Sequence, residues 1–581
     1  MSRRGSGRET GGRTVVVVSG RGRFAVAEPV FERGPQLPLA KGSRRVPSGR
    51  MALAEVRRGR ARLLRELGSP KRTRDVLDAM LLDRGLRRGF RDRVSGEADE
   101  AARLAADGGG PRRDLTELAT FTVDPATARD FDDAVSAREE DGGVRLWIHI
   151  ADVAAHVRPG GALDAEAYAR ATSTYVPGAV EPMLPSALSS DACSLAPGVE
   201  RLAVTTEILV SADGRATGTS FYRSRIRSDA RLHYDELDEI FAGRQRPPEP
   251  VARQIELTRG VAAALAARRP ESAIVVSGSE PEFHFDDGVV VDAHEVSQTE
   301  AHRLIEHLMI LCNTHVAGLL ERRKVPTLYR VHEQPDPQRV AFLVEQLDAL
   351  GIPTPPLPER LSPTEAGELV GAASRRVVAE AERRGHGREA YTTLVLRALK
   401  QAYYSERNLG HAGLGAAAYA HFTSPIRRYP DLVAHRGLLS AIGESEAAPE
   451  PSGVRDAGVH CSAREREAVK TERDADSVCA AFLLERELFD AGWERRFEGE
   501  VSGVVGAGAF VRFGGERADV YEGFLPARVL RGERFELNDT ETALVGLRSG
   551  RELRLGDPVE IGVDAVDAPR GRVDLHPAER P

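Results

Sequence analysis

The stretch Asp124-Pro-Ala-Thr-Ala-Arg-Asp-Phe-Asp-Asp133 places four carboxylates, Asp124, Asp130, Asp132 and Asp133, within ten residues. Two carboxylates ~4 Å apart repel by about 1 kcal/mol even at water's dielectric constant, and by more near a protein surface. Such a cluster calls for a cation among its members. Carboxylate oxygens select hard ions, Mg²⁺ first and Mn²⁺ as its substitute. An Asp-x-Asp spacing also serves aspartyl-phosphate phosphatases, where the first Asp is a nucleophile at the end of a strand. Here Ala126-Thr-Ala-Arg129 stands before Asp130-Phe-Asp132 in place of an apolar strand, which argues against that chemistry.

A second constellation is His421-Phe-Thr-Ser-Pro-Ile-Arg-Arg-Tyr-Pro-Asp431. Ser424-Pro425 suits an N-cap and first helical position, with Pro430 a feature that delays regular helix. Arg427 and Arg428 follow that turn. Residues 1–75 carry 19 Lys+Arg against 6 Asp+Glu, although the whole chain has a net charge of -7. A basic arm on an acidic body suits a polyanionic partner, and solvation alone is the competing reading of its charge. Clustered Asp, paired Arg and a basic arm together fit metal-assisted phosphoryl chemistry on a nucleic acid.

The elements that must position these groups follow from patterning. At 581 residues and 41% hydrophobic content the chain holds roughly three or four domains, at ~150 residues each. Residues 1–13 are Gly- and Arg-rich and are expected to be a disordered arm. Thr14–Val18, Arg23–Ala27 and Met51–Val56 read as short strands of a small, reduced β-barrel over 14–75. A helical linker over 76–114 follows, with the apolar stripe Val76, Leu77, Met80 and Leu81, a stop at Gly85 and a Gly-rich end at 107–110.

Residues 115–489 read as one mixed α/β unit. Val144–Ile150 is a strand, 162–171 a helix, and Leu202–Val210 pairs with Gly218–Ile226 through the Asp213-Gly214 turn. The helix from Thr299 carries Ala301, Leu304, Ile305, Leu308, Cys312, Val316 and Leu320 at helical spacing, with Ser297 and Glu300 as its capping box. Glu306 and Asn313 fall on one polar face of it, which spacing alone assigns to solvent. Further helices are expected over Thr364–Glu382 and Thr392–Arg407. Residues 497–577 return to short strands at barrel-like intervals, with 10 Lys+Arg to 15 Asp+Glu. The four separated cysteines and the lack of a long apolar run predict a cytoplasmic protein with neither disulfides nor a membrane span.

These motifs, taken in order, resemble the ribonuclease II / ribonuclease R (RNB) family over about residues 70–577. The resemblance rests on Thr122-Val-Asp-Pro, Arg129-Asp-Phe-Asp-Asp-Ala134, His149-Ile-Ala-Asp-Val153, Thr172-Ser-Thr-Tyr-Val-Pro177 and Pro182-Met-Leu-Pro185. It continues through Cys193-Ser-Leu195, Leu304-Ile-Glu306, Tyr329-Arg-Val-His-Glu333, Lys400-Gln-Ala-Tyr-Tyr-Ser405 and His421 to Asp431. It implies a mixed α/β RNB catalytic domain between a reduced N-terminal OB (cold-shock-like) barrel and a C-terminal S1-type OB barrel.

The implied activity is processive 3′-to-5′ hydrolysis of single-stranded RNA to nucleoside 5′-monophosphates by a monomer, with two Mg²⁺ ions at the aspartates. Asp124, Asp130, Asp132 and Asp133 fall on the family's metal positions, with Asp132 and Asp133 also assigned to catalysis. Arg427 matches the arginine at the scissile phosphate. Tyr175 and Tyr234 match aromatic positions of the RNA channel, Glu306 an acidic position near the 3′-terminal ribose, and Arg428 and Glu465 further RNA contacts. A catalytically silent RNA-binding regulator is the alternative of a different class. The C-terminal barrel departs from many S1 domains at Ala507 and Pro526, where Phe and His are common.

Overall fold

The computed structural model describes residues 12–20, 25–86, 88–105, 111–275, 279–444, 446–514, 520–530 and 532–578. Residues 1–11 of the basic arm, Arg23 and Phe24 of an expected strand, and the Gly-rich stretch 107–110 lie outside them.

The N-terminal strands are β1 (Arg13–Ser19), β2 (Val26–Pro29), β3 (Leu37–Pro38), β4 (Met51–Arg57) and β5 (Arg60–Gly68), in the order β3-β2-β1-β4-β5. The chain beyond β3 turns back to β5, where Leu39 bridges Ala61 and the Ala40 N–H donates to the Ala61 carbonyl. Alternation splits the strands between two cores. Val16, Val18, Ala27, Ala52, Ala54, Ala61 and Leu63 fill the inside, mostly with small side chains, which accounts for so narrow a sheet. Val15, Val30 and Met51 point outward onto α1 (Thr73–Asp83). Helix α1 buries the expected Val76, Leu77, Met80 and Leu81 and stops before Gly85. The 76–114 segment adds α2 (Asp92–Ala105).

The centre is a seven-stranded sheet of order β14-β7-β8-β9-β12-β13-β6. Its strands are β6 (Arg113–Asp114), β7 (Phe121–Asp124), β8 (Asp133–Glu140), β9 (Gly143–Ala151), β12 (Glu200–Val210), β13 (Ala216–Arg227) and β14 (Ala230–His233). Between β9 and β12 lie α3 (Ala162–Arg170) and the hairpin β10 (Thr174–Val176) and β11 (Ala179–Glu181). β14 runs parallel to β7, with His233 opposite Asp124. Helices α4 (Tyr234–Phe241) and α5 (Ala252–Ala267), the hairpin β15 (Ser279–Asp286) and β16 (Val289–Ser297), and α6 (Glu300–Arg323) complete this half.

Helix α6 buries the predicted stripe. Its start differs from expectation: the N-cap is Thr299, whose N–H donates to His302 Nδ1 at 3.4 Å, so Ser297 and Glu300 do not form the capping box. Glu300 is instead paired with Arg259. Asn313, assigned to solvent by spacing, is buried, because its amide bonds Tyr419 and the Phe422 N–H.

β17 (Tyr329–Val331), α7 (Pro337–Ala349), α8 (Pro363–Arg384), α9 (Arg388–Ala398) and β18 (Tyr403–Ser405) follow. The helix expected to Arg407 thus ends at Ala398. Tyr403 to Ser405 pair with β17, and the Tyr404 N–H donates to Ser462 Oγ, so non-local bonding overrides local helical propensity. Last come α10 (Tyr429–Ala441), the 41-residue α11 (Pro451–Ala491), and a closed barrel of β19 (Arg496–Val505), β20 (Gly508–Phe513), β21 (Tyr521–Pro526), β26 (Arg572–Pro577) and β25 (Pro558–Asp567), with a small sheet of β22 (Phe535–Leu537), β23 (Ala543–Gly546) and β24 (Glu552–Arg554) inserted between β21 and β25.

A shared core joins α1, α11 and the C-terminal barrel. Arg570 of that barrel donates to the carbonyls of Val30 and Pro29, and Arg84 pairs with Asp474 of α11. No helix among the described residues is long and apolar enough to cross a membrane. Cys193, Cys312, Cys461 and Cys479 are buried, free thiols.

Candidate active site

Two strand ends and one loop gather the aspartates. Asp124 ends β7 and Asp133 begins β8, while the irregular loop between them carries Asp130 and Asp132. Because β14 runs parallel to β7 with His233 opposite Asp124, the next residue, Tyr234, opens α4 close to the acidic cluster. The Asp132 carbonyl accepts the Ala151 N–H, and its Oδ1 accepts the Ile426 N–H at 2.8 Å. Its Oδ2, and Oδ2 of Asp124, are buried without a hydrogen-bond partner among the described residues.

Ile426 belongs to the second motif, and the local fold there departs from a helix capped by Ser424. Helix α10 starts only at Tyr429, with Pro430 in its first turn. The five residues before it form a turn in which the Ser424 carbonyl accepts the N–H groups of Arg427 and Arg428. Asp431 accepts the Ser424 N–H at 2.8 Å and both Nε and Nη2 of Arg428, at 2.8 and 2.7 Å. Arg428 is therefore spent on bracing the turn. Arg427 is the more open one: its side chain is 43% exposed, Nη2 donates to Ser424 Oγ, and Nε stands 3.6 Å from Asp132 Oδ2.

The same turn delivers Tyr175. The Ser173 N–H donates to the Arg427 carbonyl and the Tyr429 N–H to the Ala171 carbonyl, which docks the β10 segment beside the turn. The Tyr175 hydroxyl then donates to Asp130 Oδ2 at 3.1 Å, and its backbone N–H to Glu472 Oε1 of α11 at 2.8 Å. Tyr234 stacks on His302 of α6 with ring centroids 3.9 Å apart. Both phenols are raised above their ordinary value, first by burial and then by neighbouring aspartates.

Burial and mutual repulsion strain the acidic cluster. Asp124 is pushed up to about 8 by burial, then by Asp133 and Asp130. Burial takes Asp133 to about 7 against the opposing pull of Arg427 and Arg428. Asp132 lies well above the carboxylate range, again through burial, with Arg427 and the Ile426 N–H acting against it. Among the described residues no three Asp, Glu, His or Cys groups stand as a ready-made metal cage. The donor set nonetheless fits a hard divalent cation: oxygen ligands only, two orphaned buried oxygens, and a charge deficit that a cation removes.

The structure thus brings Asp124, Asp130, Asp132, Asp133, Arg427, Tyr175 and Tyr234 together. Glu306, one turn beyond His302 on α6, lies 3.8 Å from Arg269. Glu465 is committed to Arg330 at 2.6 Å, with the Tyr404 hydroxyl at 3.4 Å. Glu472 and His302 were not singled out from sequence. Glu472 lies seven residues after Glu465, two helical turns on, and that spacing was the available signal.

Two strand ends and a loop that gather four aspartates beside an arginine turn, between an N-terminal half-barrel and a closed C-terminal barrel, define a class that comparison identifies. The family model described as the RNB domain matches residues 112–444. The chain belongs to the ribonuclease II / ribonuclease R (RNB) family. Ribonuclease R of Escherichia coli (strain K12) is 36% identical over 456 residues, 75% of this chain and 54% of that protein. Ribonuclease R of Aquifex aeolicus (strain VF5) is 34% identical over 447 residues, 76% of this chain and 61% of that protein. The chain therefore spans little more than half the length of these relatives.

The fold is shared with Mycoplasma genitalium RNase R in complex with ribose-methylated single-stranded RNA. That match has a TM-score of 0.86 and 24% identity, and covers 98% of this chain and 90% of that one.

Proposed function

We propose that this protein is a hydrolytic 3′-to-5′ exoribonuclease acting on single-stranded RNA and releasing nucleoside 5′-monophosphates. The observation that carries this reading is Asp132 Oδ2, buried, unbonded and faced by Arg427 at 3.6 Å, within an intact set of four aspartates. Asp124, Asp130, Asp132 and Asp133 would hold Mg²⁺, with Mn²⁺ as a substitute. When bound, such ions lower the pKa of water and neutralise charge on a phosphodiester.

The chain's own groups supply the rest. Arg427 offers planar N–H donors to a scissile phosphate, where charge builds as the bond breaks. Tyr175 and Tyr234 present rings for base stacking, worth ~1–3 kcal/mol per base without sequence preference. We assign Glu306, from its match to the family's acidic position, to accept from a ribose 2′-OH, a group that separates RNA from DNA. Arg428 acts through Asp431 on the turn, and Glu465 through Arg330. We assign 14–75 and 497–577 as the OB-like and S1-like barrels that lead RNA to the catalytic domain over 115–489, and place the enzyme in the cytoplasm as a monomer.

A silent RNA-binding regulator is the competing reading, since the fold is also that of a yeast protein, Ssd1, described as a pseudonuclease (TM-score 0.67, 17% identity, covering 93% of this chain and 68% of that one). The intact aspartates and Arg427 weigh against it. A 5′-labelled single-stranded oligoribonucleotide decides the matter: shortening from the 3′ end with Mg²⁺, halted by EDTA and by Asp132→Asn, supports the enzyme. Tight binding that leaves the RNA whole supports the regulator.

A further inference from the structure

The loop between Asp124 and Asp133 carries two of the four aspartates, yet it belongs to no strand or helix. Something other than secondary structure must fix its course. Two side chains from distant parts of the sequence do so, and neither is among the residues assigned above to metal or RNA.

Arg231 lies on β14, paired in register with Thr122 of β7. A single nitrogen, Nη2, donates to three carbonyl oxygens of the loop: Pro125 at 3.3 Å, Ala126 at 2.7 Å and Ala128 at 3.3 Å. These carbonyls already converge through the turn in which the Ala128 N–H donates to Pro125. The guanidinium carbon also sits 4.9 Å from the centre of the Phe131 ring, within cation–π range.

Ser194 holds the remainder. Its buried Oγ donates to the Arg129 carbonyl at 2.9 Å and accepts the Phe131 N–H at 3.0 Å, while the next residue's N–H, that of Leu195, donates to the Phe131 carbonyl. Asp130 is thus flanked on both sides by backbone that Ser194 grips. Its side chain is held pointing toward the Tyr175 hydroxyl.

We propose that Arg231 and Ser194 are positioning residues that set the acidic loop in its ion-binding geometry, Arg231 through the 125–128 carbonyls and Ser194 through Asp130's two neighbours. The proposal rests on the metal reading of the aspartates but makes a separate claim about what shapes them. Its sign is diagnostic. Arg231 is a cation acting on Asp124, so removing its charge with the loop unmoved strengthens divalent binding. Removing a brace weakens it.

The test is Mn²⁺ binding to the metal-stripped full chain, followed by electron paramagnetic resonance without RNA, so that no turnover enters. Asp132→Asn and Asp124→Asn identify the loop site. Arg231→Met is expected to weaken Mn²⁺ binding there by about tenfold or more, as for other outer partners of metal ligands. Arg231→Lys, which keeps three donors, should recover most of that loss, and Ser194→Ala should weaken binding by a smaller factor.

RNA affinity of the Arg231 and Ser194 variants, measured in EDTA, should stay within about twofold of the wild type. Unchanged or tighter Mn²⁺ binding by Arg231→Met overturns the proposal. Should that variant fail to fold, wild-type affinity in Ser194→Ala overturns it equally. If the wild-type chain binds no Mn²⁺ at the aspartates, the metal reading itself falls.

Discussion

Nε of Arg427 stands 3.6 Å from Oδ2 of Asp132, while the other oxygen of that carboxylate is taken by the Ile426 N–H. One carboxylate is thus tethered to the arginine turn by one oxygen and open to the site by the other. Asp132→Asn keeps the tether, since its amide oxygen still accepts from Ile426. It should therefore fold and bind RNA as the wild type does, with kcat reduced by at least about 100-fold. Arg427→Lys should lose activity on a similar scale, because an ammonium cannot present the planar pair of donors. Single-turnover hydrolysis beside RNA binding in EDTA separates the two effects; a parallel fall in RNA affinity would show that Arg427 acts in binding instead.

The neighbouring arginines should part company in stability. Arg428 and Asp431 form a bidentate pair with side chains only 17% and 0% exposed. Arg428→Ala leaves a buried carboxylate uncompensated, at a cost of roughly 3–5 kcal/mol. Arg427→Ala removes a half-exposed side chain and should cost less than about 1 kcal/mol. Chemical denaturation of both variants checks the ranking.

Tyr175 couples a ring to the acidic loop. Tyr175→Phe removes only the hydroxyl that donates to Asp130 and should leave RNA affinity almost unchanged while lowering the turnover rate several-fold. Tyr175→Ala should also weaken RNA binding by about 1–3 kcal/mol. Equal RNA affinity in the Phe and Ala variants would exclude the ring as a stacking surface.

Acid should destabilise the RNB domain through two buried imidazoles. His149 bridges Ser136 and Thr205 across the central sheet, and burial lowers it to about 3; His435 donates to the Phe422 carbonyl, and burial brings it to about 4. Both values lie below the ordinary imidazole value of about 6.5. Between that value and the folded one the unfolded chain binds more protons, so stability is present above about pH 6.5 and is lost as the pH falls. The shift of His435 alone is worth roughly 3 kcal/mol by about pH 4. His435→Gln, which can still donate to the Phe422 carbonyl, should flatten the slope of stability against pH between about 6.5 and 4. An unaltered slope would rule this origin out.

Where local pattern and tertiary structure agree, the sequence was sufficient. The α6 stripe and the β12–β13 pair required nothing beyond periodicity and a turn signal, and the aspartates announced themselves by density. The helix expected over 392–407 went wrong where Tyr404 is held by Ser462 and by β17, partners that no local window contains. Arg427 and Arg428 are chemically equal in sequence, and only Asp431, placed one helical turn on, divides a buried brace from a half-exposed guanidinium that faces the aspartates. Glu465 and Arg330 are 135 residues apart, so their pairing was invisible until the chain folded. Arg231 was equally silent: its partners are backbone carbonyls, which carry no sequence signature.

Helix α11 runs unbroken for 41 residues, roughly 60 Å, from Pro451 past Glu465 and Glu472 to Ala491, where the C-terminal barrel follows. Glu472 holds the Tyr175 backbone, Asp474 holds Arg84, and Ser477 packs closely against Gly571 of the barrel. These contacts share one rigid screw. Inserting a single residue between Asp474 and Ser477 would turn everything beyond it by about 100° and advance it by about 1.5 Å. The helix can therefore change length only in near-whole turns, and the RNB domain and the C-terminal barrel are locked in phase like two gears on one shaft.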